Sequence, residues 1–303
     1  MVESVAEILV GAHLKQDPEL IHIMGSYFQN IEKTMRQGLR WMLIPVFGSQ
    51  IAHMIIRRNT PSIATRKRIL DKIAPSLAHR STLTHRPLAI SVAEMMLDDG
   101  NAPDTIADTL MILVFLSNYT VSGLCRRVLG DLLAHPHFFD AIRQEQRDVI
   151  AATGSKPVTW DQIDMMPRLD STLRESMRHR ASRPEHFRMA SQDILLPNGR
   201  TIPQGSLMAV DMASIHFPTK DLIDYQPFRF VNTNIHSSQL TRDFLLFGAG
   251  KHACPGRVYA TQIIKAFIAT LLRSYKVHLK HGSIEFNTYE DVFPDAHLIL
   301  TPA

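Results

Sequence analysis

The chain has 303 residues, 45% of them hydrophobic and 20% charged, which supplies a sizeable core and excludes a disordered or fibrous protein. Its 33 Lys and Arg against 29 Asp and Glu leave a formal +4, too small and too scattered to point to a nucleic-acid partner. Two cysteines, Cys125 and Cys254, exclude a disulfide framework and a Cys-based zinc site, and the compartment reads as reducing.

The start, Met1-Val2-Glu3-Ser4, leads directly into an amphipathic helical pattern, without the charged and apolar regions of a secretion signal. The longest uninterrupted apolar stretch, Leu110 to Leu116, falls far below the ~20 residues that cross a bilayer, so no anchor is expected in the chain as written. Apolar spacing from Glu3 to Asp98 predicts helices, interrupted at Ile44-Pro45-Val46-Phe47-Gly48. Pro103 and Asp104 suit the start of a long helix that runs to about Ala134, before His135-Pro136. Two further helices are expected, from about Phe138 to Thr153 and from about Trp160 to His179. Between Phe187 and Val210 the turns Pro197-Asn198-Gly199 and Pro203-Gln204-Gly205 separate short β-prone pieces, which predicts hairpins in a small sheet. A final helix is expected from about Arg257 to Ser274, followed by strands and loops from Lys276 to Pro302. No repeat, low-complexity tract or interdomain linker interrupts the chain, which reads as one domain, residues 1–303.

The segment Phe247-Gly248-Ala249-Gly250-Lys251-His252-Ala253-Cys254-Pro255-Gly256 sets one cysteine in a tight loop just before an apolar helix. A thiolate needs positive potential and hydrogen-bond donors, and the amides and dipole of a helix N-terminus supply both. Pro255 has no N–H, so donors must come from Gly256 onward, where the missing side chain lets backbone approach the sulfur. Gly250 permits a sharp turn. Taken alone, such a cysteine is more often a buried free thiol.

The neighbours change that reading, because the segment resembles the haem-binding signature of the cytochrome P450 family: Phe247, two residues, Gly250, one, a basic residue at His252, one, Cys254, one, Gly256. The resemblance implies that Cys254 is the axial thiolate of a haem b iron, that Phe247 shields the sulfur and that His252 contacts a haem propionate. In this family the anionic sulfur pushes electron density through the iron and promotes O–O cleavage.

Upstream, Glu175 and Arg178 lie three apart on one helix face, matching the family's Glu-x-x-Arg. Arg229, in Tyr225-Gln226-Pro227-Phe228-Arg229-Phe230, matches its later arginine partner. An isolated surface pair of this kind is worth little, but the resemblance implies a structural triad bracing the cysteine loop, a task that suits the planar guanidinium fork. Arg188 stands where relatives place a propionate-binding arginine, the alternative being a strand-edge surface residue. Ala181, Pro184 and Phe187 precede it in a segment that lines the family's substrate pocket.

Aligned back from Ala134-His135-Pro136, the long helix resembles the family's oxygen-binding helix over Leu116-Ser117-Asn118-Tyr119-Thr120-Val121. Thr120 matches the threonine that relays protons in oxygen activation. Tyr119 replaces the usual acid, and a phenol with pKa near ~10 substitutes poorly for a carboxylate. Leu116 and Ser117 replace a small, Gly-containing pair; Leu116 would line the substrate pocket, and Cys125, further along the same helix, reads as packing.

The expected fold is mainly α with small β-sheets, a cytochrome P450 fold that is N-terminally truncated. The earliest helices, the first strands and the membrane anchor of the family have no counterpart, and residues 1–48 resemble its substrate-roof helices. The resemblance implies a monooxygenase oxidising an apolar small molecule, such as a terpenoid secondary metabolite, with O2. NADPH–cytochrome P450 reductase would supply electrons at the cytosolic face of the endoplasmic reticulum membrane. The Ala-Cys-Pro-Gly loop points to the fungal microsomal branch. Two alternatives stay open: a haem-thiolate isomerase or dehydratase that does not activate O2, and an inactive remnant.

Overall fold

Helices carry most of the computed structural model, which describes residues 2–11, 14, 16–26, 63–83, 91–180, 184–281 and 297–302. The expected break at residues 44–48 lies outside the described residues. Two units emerge, Met1–Thr120 and Val121–Ala303.

In the first unit, α1 (Val2–Val10) and α2 (Ile63–Thr82) both pack on the short α3 (Val92–Asp98), and residues 18–26 are also helical. Asp17 accepts the Glu19 and Leu20 N–H groups at 2.9 Å, capping that segment. Ser91 and Glu94 form a capping box at the start of α3. Near the end of α2, buried Arg80 donates from Nε to Asp98 Oδ1 at 3.0 Å, so the helix pair is joined by a charge-assisted bond as well as apolar packing.

The long helix α4 (Pro103–Ala134) begins and ends as Pro103 and His135-Pro136 predict. By length and composition alone it could cross a membrane, although no uninterrupted apolar run in it reaches that length. A buried core helix passes the same test, and Val121, Leu124, Val128 and Leu132 belong to the core of the second unit. There too, buried Asp131 takes both carboxylate oxygens to Arg127 Nε, at 3.0 and 3.1 Å.

The second unit continues with α5 (Phe139–Thr153), α6 (Trp160–Asp164), α7 (Pro167–Arg180), α8 (Met212–His216) and α9 (Arg257–Ser274). The single helix expected from Trp160 to His179 is therefore two. Pro167 has no N–H to continue α6 and biases the residue before it away from helical angles, but it is well suited to the first position of α7. Strand β1 (Pro184–Met189) pairs antiparallel with β4 (Leu207–Asp211), and the hairpin β2 (Ile194–Leu195) with β3 (Thr201–Ile202) lies between them in sequence. The β1–β4 register is irregular between Glu185 and Arg188. Strands β5 (Tyr275–His281) and β6 (His297–Pro302) form a third antiparallel pair. Helix α7 packs against α5 and α9, and the core gathers Leu169, Leu173 and Met177 of α7 with Ile264, Ile268 and Leu272 of α9.

Candidate functional site

Helix α7 is buried at every position from Leu169 to Arg178, although its sequence there is largely polar. Burying polar and charged groups is tolerated only when they find partners, and on this helix many partners come from the irregular chain between α8 and α9, with others from those two helices. Asp170 accepts from Ser237 N at 2.8 Å, Ser237 Oγ at 2.6 Å and Lys265 Nζ at 2.8 Å. Ser171 Oγ accepts the Phe230 N–H at 2.9 Å. Arg174 donates to His236 O, Gln239 O and Thr241 Oγ1, each at 2.9 Å, with its guanidinium 4.1 Å from the Phe244 ring centroid. The helix thus acts as a rod to which an otherwise unstructured segment is stapled.

Glu175 is the most heavily used of these groups. Arg178 donates to both its carboxylate oxygens, from Nε at 2.9 Å and from an η-nitrogen at 2.8 Å. Arg229 Nε adds a bond at 3.2 Å and the Gln226 N–H one at 3.0 Å. The two arginines meet on the carboxylate, and Arg178 also donates to His216 O at 2.7 Å. Burial on its own would push the Glu175 carboxyl up, but Arg178, His179 and the Gln226 N–H together outweigh it and hold it at about 2.

The loop before α9 departs from this chain of staples. Phe244 and Phe247 are buried with ring centroids 6.1 Å apart, and Cys254 packs partly against the same core while remaining half-buried. The Cys254 N–H donates to Phe247 O at 2.7 Å, tying the cysteine to the buried aromatic, and Arg257 donates to Cys254 O at 3.0 Å. Gly248 has φ of +73° and a side chain there would come within 3.3 Å of His252 O, so both conformation and space demand glycine. Gly250 has φ of +58°, as its turn requires. Gly256 has an ordinary φ of −83° and open space around the position of a side chain. Its use is therefore not set by the chain itself. Cys125, by contrast, is buried in α4 and its thiol is pushed up to about 12 by burial, so it is inert packing.

Other residues singled out from sequence lie where their elements put them. His252 and Arg188 are exposed, with no carboxylate partner among the described residues, and Arg188 donates to Phe187 O at 2.8 Å. Phe187 is 58% exposed and Leu116 47%. Pro184 begins β1, and Ala181 lies outside the described residues. In the first unit, α4 runs as uninterrupted helix through Leu116, Tyr119 and Thr120. Thr120 Oγ1 donates to Leu116 O at 2.7 Å, and Asn118 does the same to Val114 O at 2.8 Å.

Sequence reasoning missed Asp170, Arg174 and His216, all buried and hydrogen-bonded. The available signal was the density of polar residues in a helix flanked by apolar core segments, which is unusual for a buried element unless every group is paired.

A half-buried cysteine in a glycine-shaped loop, its backbone N–H tied to Phe247 O, has the chemistry of a single sulfur donor to a haem iron. Comparison with known proteins agrees. The family model for cytochrome P450 matches residues 1–300. A cytochrome P450 monooxygenase of Emericella nidulans is 27% identical over 96% of this chain and 58% of its own length. Cytochrome P450 monooxygenase 103 of Postia placenta is 28% identical over 88% of this chain and 56% of its own. Leukotriene-B4 omega-hydroxylase 3 of Mus musculus is 33% identical over 55% of this chain and 32% of its own length. The chain thus spans little more than half the length of the fungal relatives. The solved structure of retinoic acid-bound cyanobacterial CYP120A1 superposes with a TM-score of 0.68 at 21% identity, over all of this chain and 67% of that one, which shows a shared fold. With a family model running from the first helix to the last strand, over the Glu175 network and the Cys254 loop alike, the chain belongs to the cytochrome P450 family.

Proposed function

We propose that the protein is a haem-thiolate monooxygenase that oxidises an apolar small molecule, of the terpenoid or secondary-metabolite kind, with electrons from NADPH–cytochrome P450 reductase. Its site of action in this reading is the cytosolic face of the endoplasmic reticulum membrane. The observation that carries it is Cys254: a half-buried thiol in a glycine-shaped loop at the start of α9, its N–H pinned to Phe247 O at 2.7 Å. Haem bound there would supply the redox and dioxygen chemistry, tuned by an electron-rich sulfur ligand.

The chain's own residues take the remaining tasks. Cys254 would hold the iron, and Phe247, 8% exposed, would keep water from the sulfur. His252 and Arg188 would neutralise the propionates, and Glu175, Arg178 and Arg229 keep the loop's support rigid. Leu116, Ala181, Pro184 and Phe187 would offer the substrate apolar contact. Thr120 holds its hydroxyl proton on Leu116 O, and its part in catalysis would be to release that bond and deliver a proton, with Tyr119 beside it as a weaker donor.

Two measurements test the reading. Cys254→Ala should abolish the thiolate-type spectrum of the reduced, CO-treated protein while Cys125→Ala keeps it; retention in the Cys254 variant overturns the assignment. Product formed per NADPH consumed should fall in Thr120→Ala more than haem content does. Turnover without NADPH, insensitive to that change, would replace oxygenation by a rearrangement or dehydration.

A further inference from the structure

We propose that His216 and His186 are positioning residues that clamp the backbone of Leu245 from two sides and thereby set the placement of Cys254, an inference that rests on Cys254 being the haem ligand. His216 ends α8 and is 1% exposed. A buried imidazole needs both nitrogens satisfied, and here Nδ1 lies 3.1 Å from Arg178 O while Nε2 accepts the Leu245 N–H at 3.1 Å. These partners require the neutral ring with its proton on Nδ1. The ring is stacked on Phe244, 5.4 Å between centroids and 8° from parallel, and the His216 carbonyl accepts from Arg178. His216 is therefore latched to the last turn of α7 through both ring and backbone, and it reaches the cysteine loop with its remaining nitrogen.

The carbonyl of the same residue is held from a different element. Leu245 O accepts from His186 Nε2 at 2.5 Å and from the Gly248 N–H at 2.8 Å. His186 has φ of +55°, the one non-glycine among the described residues with a positive φ. It sits within the register irregularity of β1 against β4. Such backbone strain is retained only where surrounding contacts over-determine it, and here the imidazole's bond to Leu245 is one of them. The ring also lies 3.7 Å from where a Gly248 side chain would begin. From Leu245 the turn leads to Phe247, whose carbonyl takes the Cys254 N–H at 2.7 Å. Two imidazoles from separate elements thus fix the turn from which the cysteine hangs, which is more than packing requires.

The experiment uses the full chain, with hydrogen exchange of the segment 244–256 read beside the reduced, CO-treated spectrum. His216→Phe keeps the stacking on Phe244 and removes both ring hydrogen bonds; His186→Phe removes the other arm at a half-buried position. Each should speed exchange in 244–256 about fivefold, the equilibrium worth of one hydrogen bond, with segments 121–134 and 257–274 unchanged. The thiolate-type band should give way to the thiol-type band in the same variants, and His216→Gln, which restores an acceptor for Leu245, should recover part of it. Unchanged exchange in 244–256, or a rise of equal size in all three segments, overturns the clamp. If His216→Phe does not fold, His186→Phe decides by the same criterion. Absence of any thiolate-type band in the unaltered chain overturns the Cys254 reading instead, a result that exchange alone cannot produce.

Discussion

Glu175 shows how a single residue can carry a disproportionate share of stability. Its carboxyl is held at about 2 against an ordinary 4.5, so its ionised form is favoured by folding and contributes about 3 kcal/mol at neutral pH. A depressed carboxyl gives stability that is present above its unfolded value and lost as pH falls through the folded one. Acid unfolding should therefore steepen between pH 4.5 and about 2. Glu175→Gln should remove that limb and cost about 3–5 kcal/mol at neutral pH, because it strands the buried Arg178 guanidinium; urea titration at several pH values checks both. Glycines in the cysteine loop divide in the same residue-level way. Gly248→Ala, with φ of +73° and a contact at 3.3 Å, should lower stability by about 1–3 kcal/mol. Gly256→Ala, with ordinary φ and open space, should leave stability within about 0.5 kcal/mol. If Gly256 serves the approach of haem, its variant loses haem uptake without losing its melting temperature.

At the level of elements, α7 inverts the usual rule for buried helices. Many of its side chains bond to the segment 226–241, with Lys265 of α9 on Asp170 and His216 O on Arg178 besides, so the helix and that irregular segment stabilise each other, and neither is expected to order alone. Arg174→Met keeps the apolar stem over Phe244 but abandons His236 O, Gln239 O and Thr241 Oγ1. The expected cost is about 3 kcal/mol, roughly one for each orphaned partner, measured by calorimetry. Ser91→Ala at the capping box of α3 should cost about 1–2 kcal/mol, because Ser91 is buried and the Glu94 N–H loses its acceptor. The helix ends themselves follow local chemistry: Pro103 starts α4, Pro167 separates α6 from α7, and α9 begins where Pro255-Gly256 releases the chain.

Across the whole molecule, pH dependence joins the two ends of the second unit's polar network. Burial, reinforced by the charge of Arg178, holds His216 below its ordinary 6.5. A histidine kept neutral by folding loses its stabilising role as pH drops below the unfolded value, because the unfolded chain then binds the proton more readily. Stability should thus begin to decline below pH 6.5, ahead of the Glu175 limb, and His216→Gln should flatten the first decline while leaving the second; thermal melts from pH 4 to 8 read the difference.

Local rules determined much of this protein from sequence. Apolar spacing and proline placement fixed the long helix from Pro103 and the final helix from Arg257, and a ten-residue pattern around Cys254 pointed to a haem-thiolate site. These features are legible because they are satisfied within one segment of chain. The triad of Glu175, Arg178 and Arg229 could be named only through the resemblance to the cytochrome P450 family, since two charges three apart on a helix face say nothing by themselves. Only the tertiary structure decided that α7 is buried on all sides, that Arg174 and Asp170 staple the segment between α8 and α9, and that His216 and His186 meet on Leu245. Those partners lie 29 to 95 residues apart, as in His216 with Leu245 and Asp170 with Lys265, and a hydrogen bond between distant segments leaves no period or local pattern in the sequence. Its formation depends on the apolar core bringing the segments together first.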